Sequence, residues 1–178
     1  PAAVLMAVTH CIAHSNPNPA SRPEQVLGYL NRCLATRYTA QNESFVTAFY
    51  AVYDPSQRTL TYARAGHNPP RLKRCQDGSL VGLDAASGLP LGINADTIYP
   101  ERVHRLLPGD QIIFYTDGIT EAHSPEGEMF TTERLDHELE NCSLEASALL
   151  ESVLRSVLNF TAGLPAEDDQ TMIVARII

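Results

Sequence analysis

Two segments near the start of the chain place apolar residues at helical spacing. The first ends at the turn formers of residues 15–19, and the second begins near Pro23, a residue that suits a first helical turn. The apolar positions of the two stripes are Val4, Leu5, Val8, Cys11 and Ile12, followed by Val26, Leu27, Leu30, Cys33, Leu34 and Tyr38. The pattern predicts two helices, the second ending at about Tyr38.

From Phe45 the apolar period changes to that of a β-strand. Residues 45–53 are rich in aromatic and β-branched residues on both faces, which predicts a strand buried on both sides. The elements that follow are a turn at 54–57, a returning strand from 60, a turn at 66–70, a short strand at 71–73 and a tight turn at Asp77-Gly78. Together they predict an antiparallel hairpin that continues as a meander.

The second half of the chain alternates strands with one long loop and one clear helix. The predicted elements are a loop over 82–96, strands over 98–106 and 111–116, a helix over 149–158 and a strand over 171–178. Long irregular loops are often functional, so the first of these is a candidate gate for a site. Helices, then antiparallel strands, then a helix and a strand predict an α+β layered sandwich.

The composition is that of one globular domain over residues 1–178. Of these residues 44% are apolar and 19% charged, which is typical of a folded protein rather than a disordered one. The formal net charge of −8 disfavours nucleic acid and anionic membranes as partners, because both attract clustered Lys and Arg. No apolar run reaches the roughly 20 residues that span a bilayer, so the sequence predicts a soluble, cytoplasmic protein.

Acidic residues stand at the ends of two predicted strands. Asp117 follows one of them, and Asp168 and Asp169 precede the other. If these strands pair antiparallel, the acids meet at one edge of the sheet, where a cation would relieve the repulsion between their charges. Oxygen ligands beside a glycine, here Gly118, suit Mg2+ or Mn2+. The alternative is structural, because Asp-Gly is a common turn and residues 167–169 can form a solvated segment.

Three histidines are further candidates for chemistry. His10 and His14 lie four residues apart, as in zinc enzymes with an H-E-x-x-H motif, but Cys11 replaces the glutamate and no third ligand follows at a telling distance. Histidines near a helix C-terminus are also favoured by the helix dipole, so a structural role is preferred. His67 can be read as a base or phosphoacceptor, but its Gly and Pro neighbours favour a turn residue.

Five blocks, in order and spread over nearly the whole chain, resemble a known family. They are FVTAFY at 45–50, YARAGHNPP at 62–70, LPLGI at 89–93, YTDGITEA at 115–122 and DDQT at 168–171. Together they resemble the PPM-type, protein phosphatase 2C-like domain in its bacterial SpoIIE and RsbU branch. Each block alone is weak, and the specificity lies in their order.

The resemblance implies an αββα sandwich, two antiparallel sheets flanked by helices, with two Mn2+ or Mg2+ ions at one end. Asp117 and Asp168 match metal ligands of that family, while Asp169, Gly118 and Glu121 are possible supporting residues. In such a site a metal-activated water attacks the phosphorus, so no catalytic side chain acts as nucleophile.

The resemblance also implies a serine/threonine protein phosphatase that acts on a small regulatory protein, such as an anti-sigma-factor antagonist. Two acidic blocks of the family are absent, a Gly-Asp near the domain start and an Asp-x-x-Gly-His-Gly before the first long helix. The chain is therefore expected to be truncated at its N-terminus, to hold the ions weakly and to be inactive or nearly so.

The sequence leaves one expectation about oligomeric state and two alternative functions open. Missing strands would leave open sheet edges, so a homodimer is one expectation. A non-catalytic partner-binding domain of the same fold is the main rival to the enzyme. A phosphatase that acts on small phosphoesters is the third.

Overall fold

A computed structural model describes residues 2–17, 22–40, 44–74, 76–140 and 145–178. The helices are α1 (Ala2–His14), α2 (Pro23–Arg37), α3 (Asp117–Thr120), α4 (Thr131–Glu140) and α5 (Ala146–Phe160). The strands are β1 (Ala48–Asp54), β2 (Thr59–Ala65), β3 (Arg71–Lys73), β4 (Leu80–Gly82), β5 (Arg102–Arg105), β6 (Gln111–Tyr115) and β7 (Met172–Arg176). Residues 18 and 19 of the first predicted turn lie outside the described part.

The chain divides into two compact units. Unit 1 comprises Pro1–His67 and Asp84–Leu106, and unit 2 comprises Asn68–Leu83 and Leu107–Ile178. The assignment of residues 1–178 to one domain stays a prediction.

Unit 1 contains a three-stranded antiparallel sheet in the order β1-β2-β5. Helix α2 packs on β1 and β2, and α1 packs on α2. The contact buries Leu27 and Leu34 of α2 in one apolar cluster with Ala63 and Ala65 of β2. The apolar stripe that predicts α2 is therefore the face that covers the sheet.

Unit 2 contains a four-stranded antiparallel sheet in the order β4-β3-β6-β7. Helix α5 packs on β7, and α4 packs on α5. A second apolar cluster joins Ile113 of β6 to Leu135 of α4 and Leu149 of α5. Arg71 of β3 donates two hydrogen bonds to Asp136 of α4, one of them 2.7 Å long. Burial raises the pKa of Asp136, and the Arg71 guanidinium acts in the opposite direction.

The first predicted strand is present, but its predicted burial is wrong. The strand begins at Ala48 rather than Phe45, and it lies at the edge of its sheet beside β2. Its last three residues are exposed, and Val52 among them is 44% exposed to solvent. Aromatic and β-branched residues here reflect the preference of such side chains for extended backbone, not burial on both faces.

The predicted hairpin is confirmed, whereas its continuation as a meander is wrong. Strands β1 and β2 pair antiparallel, with Ala48 opposite Ala65 and Asp54 opposite Thr59. The next strand, β3, pairs with β4 and β6 in the sheet of unit 2. Local turn signals specify a hairpin, but the partner of the following strand depends on packing between distant segments.

Two further boundaries differ from the prediction. The strand expected over 98–106 is confined to β5, Arg102–Arg105. Helix α4 lies where the sequence predicts a polar loop. Only Leu135 and Leu139 of its residues are buried, so its apolar pattern is too sparse to indicate a helix. Two leucines one turn apart suffice to attach this helix to the core.

The observed elements agree with the predicted α+β class. Both sheets are antiparallel, and each unit contributes helices that pack within that unit. Within the described ranges, no helix combines the length and apolar character that crossing a bilayer requires.

Candidate metal centre

The two acid-bearing segments lie at adjacent ends of paired strands. Strands β6 and β7 are antiparallel neighbours in unit 2, and the ladder pair nearest this edge joins Tyr115 to Met172. Asp117 follows the end of β6, and Asp168 precedes the start of β7. The pairing assumed in the sequence analysis is present, and it brings both segments to one edge of the sheet.

Thr116 forms hydrogen bonds that connect the two segments. Its backbone N–H donates to the carbonyl of Thr171 at 3.1 Å. Its hydroxyl donates to the carbonyl of Asp169 at 3.0 Å and accepts from the N–H of Thr171 at 3.0 Å. One side chain therefore extends the ladder beyond the last strand pair. Thr116 is not among the predicted site residues, although its hydroxyl directly before Asp117 was a signal visible in the sequence.

Gly118 allows the two backbones to touch. A Cβ atom placed on Gly118 would lie 2.6 Å from the carbonyl oxygen of Asp169 and 3.3 Å from that of Asp168. The nearest atoms belong to backbone and cannot rotate away, so no larger residue fits without displacing the segment. Gly118 thus sets how closely the Asp117 and Asp168 segments approach.

Each carboxylate uses one oxygen to order its own backbone. The N–H of Gly118 donates to Oδ1 of Asp117 at 3.1 Å, and the N–H of Asp169 donates to Oδ1 of Asp168 at 2.7 Å. Both acidic residues are exposed to solvent. Their carboxylates therefore remain open to an incoming ligand.

Two of the predicted supporting residues, Asp169 and Glu121, lie in the same region and form backbone hydrogen bonds there. Asp169 contributes its backbone carbonyl to Thr116, and its side chain is exposed. Glu121 caps α3, since its N–H donates to the carbonyl of Asp117 at 2.7 Å, and its side chain is also exposed.

The donor set fits a hard divalent cation in kind but falls short of a pair of ions in number. Carboxylate oxygens suit Mg2+ and Mn2+, and Mg2+ is commonly held by one or two carboxylates with waters completing its shell. Across the described part of the chain, no group of three or more His, Cys, Asp or Glu side chains is placed to hold a metal ion. The assignment of Asp117 and Asp168 as metal ligands stays a prediction.

A cavity of about 360 Å3 adjoins the Asp168 segment within unit 2. Its lining residues include Leu154 and Val157 of α5 and also His123 and Glu167. The Nδ1 atom of His123 lies 3.2 Å from an oxygen of Glu167. The segment after α3 is thereby tied to the segment that leads into Asp168.

The three histidines that the sequence singles out, His10, His14 and His67, lie in unit 1. The carbonyl of His67 accepts a hydrogen bond from Arg64 at 2.8 Å, and the predicted turn role of His67 stays a prediction. His10 and His14 are exposed neighbours on α1, with 3.1 Å between their Nε2 atoms.

The whole chain, residues 1–178, matches the SpoIIE family, described as Stage II sporulation protein E. A curated relative is the phosphoserine phosphatase RsbU of Bacillus subtilis (strain 168), which is 32% identical over 176 residues. The match covers 99% of this chain and 51% of RsbU, so the chain spans about half the length of that relative.

Solved structures share the fold. The SiaA-PP2C domain of Pseudomonas aeruginosa superimposes with a TM-score of 0.78 at 18% identity, over 96% of this chain and 69% of that one. The RsbU and RsbW domains of Rv1364c from Mycobacterium tuberculosis give a TM-score of 0.76 at 26% identity, over 97% of this chain and 47% of that one. The α+β fold class predicted from the sequence is confirmed.

The family match, the curated relative and the solved structures thus all support the family that the five sequence blocks resemble. The chain belongs to the SpoIIE family, in the SpoIIE and RsbU branch of PPM-type, protein phosphatase 2C-like domains.

Proposed function

We propose that this chain is the phosphatase domain of a metal-dependent serine/threonine protein phosphatase. One observation carries the proposal. The antiparallel pairing of β6 with β7, extended by Thr116, brings the segments of Asp117 and Asp168 into contact. Two exposed carboxylates at one sheet edge are suited to a divalent cation and, through it, to a phosphate group.

Asp117 and Asp168 are the proposed metal ligands, with Asp169 and Glu121 in supporting positions. Mn2+ or Mg2+ bound there would supply an activated water for attack on phosphorus and neutralise charge on the phosphoryl oxygens. Thr116 and Gly118 act as positioning residues, because they fix the spacing of the two acid-bearing segments.

The proposed substrate is phosphoserine or phosphothreonine on a regulatory protein. RsbU bears the name phosphoserine phosphatase, and its similarity extends over 99% of this chain. An anti-sigma-factor antagonist is the partner that the family resemblance suggests. The exposed position of both acids is compatible with a protein substrate, since a phosphorylated loop needs open access to the site.

The chain on its own is proposed to turn over slowly or not at all. Two carboxylates can hold one ion with water around it, whereas an in-line displacement by a metal pair needs ligands that bridge both ions. The acidic blocks that supply such ligands in the family are absent from residues 1–178.

A phosphatase assay tests the proposal on the chain as it stands. The chain is incubated with Mn2+ and a phosphoserine peptide, and separately with a small phosphate monoester, with and without a chelator. We expect little or no release of phosphate from either substrate. Robust, chelator-sensitive turnover would show that residues 1–178 already hold a complete site, and a preference for the monoester would point to small phosphoesters.

The second candidate is a non-catalytic partner-binding domain of the same fold. It is favoured by the absence, among the described residues, of any group of three potential metal ligands. The encoded residues upstream of Pro1 separate the two candidates. Acidic blocks of the Gly-Asp and Asp-x-x-Gly-His-Gly type there would support the enzyme, and a different upstream sequence would support the binding domain.

A further inference from the structure

Two histidines form a pair on the exposed side of α1 that the phosphatase proposal does not use. His10 and His14 lie one turn apart near the end of this helix, and both residues are exposed. Their rings are 4.4 Å apart between centroids and are inclined at 60°. The segment Ala2–His14 contains no Lys, Arg, Asp or Glu, so no charged side chain of α1 competes for either imidazole.

The separation of the two ring nitrogens is the decisive measurement. The Nε2 atoms of His10 and His14 are 3.1 Å apart, and they form a hydrogen bond in which one Nε2–H donates to the other Nε2. Two imidazoles bound to one metal ion at about 2.0–2.1 Å, in neighbouring tetrahedral or octahedral positions, have nitrogens roughly 2.9–3.4 Å apart. The pair therefore already has the spacing that a shared ion requires. A bound cation would replace this hydrogen bond, with the proton of the donor ring moving to its Nδ1 so that each neutral imidazole offers its Nε2 lone pair.

We propose that His10 and His14 form a surface binding site for a late first-row divalent cation of the Ni2+, Cu2+ or Zn2+ class. Imidazole nitrogen favours these ions, whereas Mg2+ and Mn2+ favour carboxylate oxygen, so the site selects different metals from the acidic edge of unit 2. The C-terminal end of a helix carries partial negative charge, which adds to the attraction for a cation.

The site is bidentate, and water completes the coordination shell. Cys11 is exposed and lies on the same helix, but it does not form a group of three ligands with the two histidines among the described residues. The bound ion joins two successive turns of α1 and should stabilise the end of that helix against fraying.

Nickel titration of the metal-free, tag-free chain tests the site. Binding is followed by calorimetry in the presence of excess Mg2+, which occupies oxygen sites, and by broadening of histidine side-chain signals in NMR spectra. We expect broadening at His10 and His14 first. His10→Ala and His14→Ala should each weaken binding at least about tenfold, because the second nitrogen then no longer acts at high effective concentration.

Two matched variants make the result specific to geometry. Thr9→His/His10→Ala keeps two histidines but sets them about 140° apart around the helix, so it should bind as weakly as His10→Ala. Cys11→Ser removes the neighbouring thiol and should leave the affinity unchanged. The proposal is overturned if His10→Ala and His14→Ala bind Ni2+ as tightly as the parent chain. It is equally overturned if Cys11→Ser abolishes binding or if the displaced pair binds as well as the native pair.

Discussion

At the scale of single residues, Gly118 and Thr116 set how closely the segments of Asp117 and Asp168 approach each other. Gly118 has no side chain, so the segment of Asp168 and Asp169 can pack directly against its backbone. Thr116 forms hydrogen bonds with Asp169 and Thr171 of that segment. The proposed metal chemistry belongs to the two acids, and Gly118 and Thr116 set the spacing of the segments that bear them.

The first prediction concerns Gly118→Ala. The new methyl group would meet the Asp169 carbonyl oxygen at 2.6 Å, so the segment before β7 must shift. We expect the free energy of unfolding to fall by about 1–3 kcal/mol, as for other overpacked sites. Chemical denaturation measures this change.

Gly28→Ala is the matched control for that substitution. Gly28 lies in α2, and a Cβ there would be 3.4 Å from the flexible end of Arg32. Alanine should be neutral or should stabilise the protein by up to about 1 kcal/mol, because it favours helix. Equal destabilisation by both substitutions would contradict the special role of Gly118.

The second prediction concerns the Thr116 hydroxyl. Thr116→Val keeps the shape but removes the hydrogen bonds to Asp169 and Thr171, at a cost of about 1–2 kcal/mol. Thr116→Ser keeps the hydroxyl and should lose much less stability. Faster amide hydrogen exchange at Thr171 in the valine variant alone would confirm the assignment. Indistinguishable exchange in the two variants would refute it.

The third prediction concerns Tyr99 and alkaline pH. Burial raises the pKa of Tyr99 to about 12, and its side chain is 1% exposed. An unfolded tyrosine ionises near pH 10, so between about pH 10 and 12 the unfolded chain loses a proton that the folded chain keeps. Stability from this residue is present below pH 10 and is lost through that window.

Comparison of the parent chain with Tyr99→Phe isolates this effect from the other tyrosines. The parent chain should lose up to roughly 1.4 kcal/mol more per pH unit than the variant between pH 10 and 12. Parallel stability curves for the two proteins over that range would show that Tyr99 ionises freely in the folded state.

Helix α5 shows what the apolar pattern specifies at the scale of elements. Its stripe predicts a helix, and the structure divides that stripe into a buried row and an exposed row. Leu149 is fully buried in the core of unit 2, whereas Leu158 is 58% exposed. Periodicity alone assigns both leucines to one stripe.

The fourth prediction follows from that division. Leu149→Ala should destabilise the protein by about 2–5 kcal/mol, because it leaves a cavity in the cluster shared with α4 and β6. Leu158→Ala, in the same helix and of the same chemistry, should change stability by no more than about 0.5 kcal/mol. Similar losses for the two variants would contradict the observed packing of α5.

The sequence predicts elements well where an apolar period is long, as in α2 and α5, and poorly where few apolar residues do the packing. Helix α4 has two buried leucines among ten residues, too few to distinguish it from a polar loop. Strand β1 has apolar residues on both faces yet lies at a sheet edge, because composition reports propensity and not position within the sheet.

Strand pairing, at the scale of the whole molecule, was predictable only in part. The β1–β2 hairpin follows from its turn, and the antiparallel pairing of β6 and β7 was assumed for the acids to meet. The transfer of the chain from β2 to a different sheet at β3 was not predictable, since it depends on contacts far apart in sequence. The order of five short blocks carried the family assignment more securely than any single element.

The candidate site was predictable in its acids but not in its framework. Asp117, Gly118 and Asp168 were identified from position and resemblance, because strand ends and Asp-Gly turns are visible in sequence. The bonds from Thr116 and the contact of Gly118 with the Asp169 carbonyl depend on the three-dimensional register of β6 and β7.

The fifth prediction tests the central claim, that Asp117 and Asp168 jointly hold a divalent cation. Mn2+ binding to the chain is measured by electron paramagnetic resonance, with Asp77→Asn as the control because Asp77-Gly78 is an Asp-Gly turn in the same unit. We expect weak binding that Asp117→Asn and Asp168→Asn each reduce at least about tenfold and that Asp77→Asn leaves unchanged. Equal Mn2+ affinity in all four proteins would contradict the claim.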